Sequence, residues 1–168
     1  PGLSNTWWLN YCFFTEMERQ STQRPMLYHR WGGLGNHRYE VGFSGDMIMS
    51  WKSLNFQPYF TATASNVLYG YWSHDLGGHM FGKIPEDQKK IDPEMYTRWM
   101  QYGVFSPIFR THSTKDPRMT KEVWNFTGDY FDALQSAIQL RYDLSPYIYT
   151  MARKAYDTGI SLCRPMYY

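Results

Sequence analysis

Four short apolar runs in this chain each end in residues that can do chemistry. Met26-Leu27-Tyr28 leads into His29-Arg30, and Tyr39-Glu40-Val41-Gly42-Phe43 leads into Ser44-Gly45-Asp46. Val67 to Trp72 leads into Ser73-His74-Asp75, and Val104 to Phe109 leads into Arg110-Thr111-His112. Parallel strands covered on both faces read as continuous apolar runs of this length. Barrels and open sheets of the α/β class place their active sites at the carboxyl ends of such strands. The pattern therefore predicts about four parallel strands. It also predicts one pocket furnished by Arg30, Asp46, Asp75 and the Arg110/His112 pair.

A chain of 168 residues is long enough for one domain with a real core, and its 43% hydrophobic content argues against disorder. Aromatic residues reach 19%. They fill a bulky core, or they wall a pocket suited to the flat C–H faces of a sugar. The net charge is only +2 and the basic residues are scattered, so the chain carries no electrostatic footprint for nucleic acid. No apolar stretch approaches the length of a membrane span. Cys12 and Cys163 have no metal-like spacing, and no cofactor is expected. The first residue is Pro1 and the last three, Met166-Tyr167-Tyr168, look strand-like, which suggests a segment of a longer polypeptide.

Helical periodicity of Trp7, Trp8, Tyr11, Cys12 and Thr15 predicts a helix over roughly 5–19. The Gly-rich stretch Gly32 to His37 is too short for a helical crossover, although parallel strands normally need a dozen or so connecting residues. Either that loop crosses without a helix, or the first two strands are not simple parallel neighbours. Between Ser50 and Asn66 the pattern is mixed, with Pro58 suited to a first helical turn. Asp92 and Pro93 read as the cap and first residue of a helix that stops near Gly103. A long helix over 129–143 offers Phe131, Leu134, Ile138 and Leu140 to the core. Ser145-Pro146 opens a last helix ending near Gly159.

Each candidate site residue has a structural alternative. Asp46 is a general acid/base or the cap of a helix beginning near Met47. Arg30 is a bidentate ligand-binding guanidinium or one side of an ion pair. His74, Asp75 and His79 lie close together, but the intervening Gly77-Gly78 argues against helix-borne metal ligands, and no metal is expected. Arg110 and His112 alternate along an extended segment and point the same way.

Several stretches together resemble glycoside hydrolase family 31, the α-glucosidase and α-xylosidase group. They are Arg30-Trp31-Gly32-Gly33, Arg38-Tyr39, Gly42-Phe43-Ser44-Gly45-Asp46 and Trp72-Ser73-His74-Asp75-Leu76-Gly77-Gly78-His79. The series continues through Arg98 to Pro107, Phe109-Arg110-Thr111-His112, Arg141 to Tyr149 and Arg164-Pro165-Met166. The resemblance covers nearly the whole chain in order.

It implies a (β/α)8 TIM barrel acting on α-linked sugars by a retaining mechanism. Asp46 matches the family's general acid/base, Arg30 and His112 its sugar-binding groups, and Asp75 the carboxylate supporting them. Phe43 falls at an aromatic wall, and Trp72 and Arg110 complete the substrate-binding set. Nothing in the chain matches the Trp-rich strand motif that carries the family's nucleophile. The resemblance thus implies only the carboxyl-terminal half of the barrel over 1–160, about four of eight strands. Residues 161–168 would start the connection to a β-sandwich outside the chain. The expected partners are an α-linked saccharide and the other barrel half. The expected function is that of a retaining α-glycosidase fragment, with a non-catalytic carbohydrate-binding fragment as the alternative.

Overall fold

A computed structural model describes residues 2–30 and 33–168; Trp31 and Gly32, two residues of the first motif, lie outside the described residues. Helix α1 (Asn5–Gln20) begins where the Ser4 hydroxyl accepts the Trp7 amide, and it runs one residue beyond the expected end. Strands β1 (Tyr28–Arg30), β2 (Val41–Phe43) and β3 (Trp72–Ser73) form one parallel sheet in the order β1-β2-β3. The register places Tyr28 beside Val41 and Arg30 beside Phe43, then Phe43 beside Ser73.

The first two strands are parallel neighbours after all. Among its described residues their connection holds only a 3-10 turn, Asn36–Arg38, and it is tied back where the buried His29 imidazole meets the Tyr39 carbonyl. Helix α2 (Trp51–Thr63) is capped by Ser50, whose hydroxyl accepts the Ser53 amide. Pro58 therefore sits inside the helix and not in its first turn, a correction that follows from the cap lying eight positions upstream of it.

The fourth apolar run is not a strand. Helix α3 (Pro93–Gly103) continues into turns in which the amides of Val104, Phe105 and Ser106 bond back to Met100, Tyr102 and Gly103. Those amides are spent locally, and Pro107 has none to offer a sheet. What remains of the expected fourth strand is a single parallel bridge between Leu76 and Thr111.

The Asp92 carboxylate starts α3 by accepting the Glu94 and Met95 amides, as expected. Helix α4 (Asp129–Asp143) packs on α3, and α5 (Ser145–Thr158) follows, ending at Gly159. Leu134 is fully buried in the cluster with Leu76, Tyr96, Trp99 and Met100. Leu140, expected in the core, is 42% exposed because it lies off the α4 face that meets α3. Met166 and Tyr167 form a turn and not a strand, with Asn66 bonding both Tyr167 and Tyr168. No described helix is long and apolar enough to cross a membrane.

Candidate active site

The loops leaving the carboxyl ends of β2 and β3 are laced together. The His79 and Met80 amides both reach the Met47 carbonyl, the Leu76 amide reaches Arg110, and the Thr114 amide reaches His79. This lacing brings side chains from four sequence segments into one run of contacts. Arg30, the last residue of β1, donates to Asp46, three residues past β2, at 2.8 Å. Asp46 therefore does not cap α2; Ser50 does.

The Phe43 ring is within reach of two guanidiniums, with Arg30 5.5 Å and Arg110 5.3 Å from its centroid. Arg110 then donates to Asp75 at 2.8 Å and to the Tyr28 hydroxyl at 3.0 Å. The second oxygen of Asp75 accepts from His79 Nδ1 at 3.0 Å, and the His79 and His112 rings are 5.1 Å apart.

Asp75 is fully buried while Arg30 and Asp46 are each nearly half exposed. Burial raises the Asp75 pKa above the usual carboxylate value, and the nearby His112, Arg110 and His79 pull it back. His112 moves the other way, lowered chiefly by desolvation despite the attraction of Asp75. The arrangement presents one accessible carboxylate, Asp46, and further along the same run of contacts a second, Asp75, whose two oxygens hold Arg110 and His79.

Not every expected residue joins this run. Trp72 is 4% exposed, donates to Gln57 and packs on Phe60 of α2. With Asp46 it lines a cavity of about 570 Å³ under α2, which Arg30, Asp75, Arg110 and His112 do not line. His74 is turned into the core between Trp99 and Tyr102, and burial lowers its pKa to about 3.

A metal set built from His74, Asp75 and His79 is therefore not assembled. Instead Asp75, His79 and His112 place ligand atoms within 4.8 Å of one another. There the carboxylate already holds a cation, the Arg110 guanidinium. Two participants escaped the sequence reading. Tyr28 alternates with Arg30 along β1, and that period of two was a usable signal. Lys121 sits in a loop where no spacing announced it.

The profile described as "Glycosyl hydrolases family 31 TIM-barrel domain" matches residues 4–151. The chain belongs to glycosyl hydrolase family 31. Among the relatives of this family-31 chain is an α-xylosidase of Saccharolobus solfataricus, 35% identical over 149 residues, or 88% of this chain and 20% of the relative. A neutral α-glucosidase AB of Mus musculus is 30% identical over 145 residues, or 86% of this chain and 14% of the relative. The chain thus spans a fifth or less of the length of these curated relatives.

A family-31 α-xylosidase structure from Xanthomonas citri superposes with a TM-score of 0.80 at 28% identity, covering 96% of this chain and 18% of that one. The Tris-bound α subunit of glucosidase II gives 0.82 at 25% identity, covering 98% and 17%. The three strands and their helices are accordingly part of a family-31 TIM-barrel domain.

Proposed function

We propose that this chain is the carboxyl-terminal part of a retaining α-glycosidase barrel and that Asp46 is its general acid/base. The observation that carries the reading is the Arg30–Asp46 pair. Neighbouring parallel strands deliver a guanidinium and a carboxylate to the same end of the sheet, 2.8 Å apart and both open to solvent. Family-31 membership supports hydrolysis of α-linked glycosides as the reaction.

In that reaction a nucleophilic carboxylate attacks the anomeric carbon while a second carboxyl, about 5–5.5 Å away, protonates the leaving oxygen. The second group then takes a proton from the water that hydrolyses the glycosyl-enzyme. Asp46 does this second job. Arg30 and His112 hold the sugar, Phe43 walls it, and Asp75 keeps Arg110 in place beneath it. The nucleophile comes from barrel strands outside these 168 residues. This is supported by the share of each relative that the chain spans and by the parallel sheet of three strands with β1 and β3 at its edges.

The purified chain is expected to bind methyl α-glucoside weakly and to leave an aryl α-glucoside intact. Turnover by the chain alone that Asp46→Asn abolishes would overturn the assignment of the nucleophile. Joined to the amino-terminal barrel half of a family-31 enzyme, the chain is expected to hydrolyse the aryl glucoside. Undiminished rates in the Asp46→Asn version would remove Asp46 from the mechanism.

A further inference from the structure

Lys121 is 7% exposed, and a lysine this buried must have its ammonium satisfied. An ammonium has three protons to donate and accepts nothing. Here all three go to backbone carbonyls. Nζ donates to Leu76 O at 2.8 Å, to His112 O at 2.7 Å and, closer still, to Gly78 O. Gly77 and Gly78 both have φ of +82°, and this left-handed turn brings the Leu76 and Gly78 carbonyls round to one donor.

The backbone of Lys121 is itself anchored, because its carbonyl accepts the buried Tyr96 hydroxyl of α3 at 2.7 Å. One side chain thus joins two segments that also meet through the Leu76–Thr111 bridge with its Leu76 amide bond to Arg110, the Thr114 amide bond to His79, the Asp75–Arg110 pair and the His79–His112 ring contact. The first segment carries Asp75 and His79, and the second carries Arg110 and His112.

We infer that Lys121 is a positioning residue of the sugar pocket, setting the separation of the Asp75–His79 and Arg110–His112 segments through their carbonyls. The inference rests on the sugar-pocket reading but concerns a group that touches no sugar. Removing the ammonium takes one donor from each of three carbonyls and loosens the spacing of the two segments that carry them. The His79–His112 ring contact and the Asp75–Arg110 bond both span that gap.

The test uses the 168-residue chain and its Lys121→Ala and Lys121→Met variants, with methyl α-glucoside as the probe. Sugar affinity, melting temperature and the imidazole NMR resonances of His79 and His112 are followed together. Both variants are expected to stay folded, to shift both imidazole resonances and to lose at least tenfold in affinity. Propylammonium supplies the three carbons and ammonium missing from Lys121→Ala, and is expected to restore the resonances and the affinity, whereas propanol is not.

Unchanged resonances in the folded variants overturn the inference, as does a loss that propylammonium leaves unrepaired. If both variants unfold, Lys121 is a strut of the fold and the positioning role is overturned. A wild-type chain that ignores the sugar counts against the pocket reading alone, because the imidazole resonances still decide what Lys121 does.

Discussion

Asp75 and Arg110 are 35 positions apart in sequence and 2.8 Å apart in space, with the carboxylate fully buried and the guanidinium a third exposed. The pair couples the end of β3 to the segment that replaces a fourth strand. Its geometry differs from that of Arg30 and Asp46, which meet at the same distance with both partners nearly half in solvent.

That difference in burial ranks two substitutions. Arg30→Met is expected to cost about 1 kcal/mol of stability or less, since exposed pairs contribute little. Arg110→Met leaves a buried carboxylate hydrogen-bonded to His79, with the His112 ring nearby, and is expected to cost about 2–4 kcal/mol, somewhat under the full penalty for breaking a buried pair because the guanidinium is partly solvated. Urea unfolding of both variants checks the order; equal losses would contradict it.

Gly42 is placed where a side chain has no room. A Cβ there would lie 1.9 Å from the Tyr69 hydroxyl and 2.2 Å from its ring. Gly42→Ala is expected to destabilise by about 1–3 kcal/mol through overpacking. Combined with Tyr69→Ala the two losses should be clearly less than additive, because the second change removes the clash made by the first. Full additivity in a double-mutant cycle would show that the clash is absorbed elsewhere.

His74 makes stability depend on acid. Burial first, and the Lys121 charge second, lower its pKa from about 6.5 to about 3. Below pH 6.5 the unfolded chain takes up a proton that the folded chain refuses. Stability is therefore full above 6.5 and is lost as the pH falls toward 3, by about 4 kcal/mol over the whole range. His74→Leu should lose about 3 kcal/mol less than the wild type between pH 7 and pH 4. Parallel urea titrations at the two pH values measure the difference, and identical acid losses would rule the effect out.

Leu134 and Leu140 share a helix and differ in fate. Leu134 is fully buried against the α3 cluster, and Leu134→Ala is expected to cost about 2–5 kcal/mol. Leu140 is 42% exposed, and Leu140→Ala should stay within about 0.5 kcal/mol of the wild type. Thermal unfolding separates the two, and a large loss at Leu140 would mean that its face is covered in solution.

Local signals were legible because local chemistry produces them. Asp92 carries a side-chain acceptor within reach of free amides one turn ahead, so the start of α3 could be read from residue type, while α1 was read from the spacing of its apolar residues. Apolar runs marked β1, β2 and β3. Val104 to Phe109 misled because an apolar run also suits the turns that end a buried helix, and periodicity alone does not separate the two. Trp72 was named with the substrate-binding set, and its contacts with Gln57 and Phe60 could not be read from its place in a strand, since an aromatic residue there serves either face.

The order of residues along the chain determined which groups stand at strand ends, and so named Arg30, Asp46, Asp75, Arg110 and His112 as candidates. It also held the family motifs in sequence. Tertiary structure alone decided the partnerships: Arg30 with Asp46, Asp75 with both Arg110 and His79, His74 with the core, and Lys121 with three carbonyls from two segments. Strand position follows from spacing along one polypeptide. A hydrogen bond between side chains dozens of residues apart exists only after loops have been folded against one another, and no local pattern encodes which loops will meet.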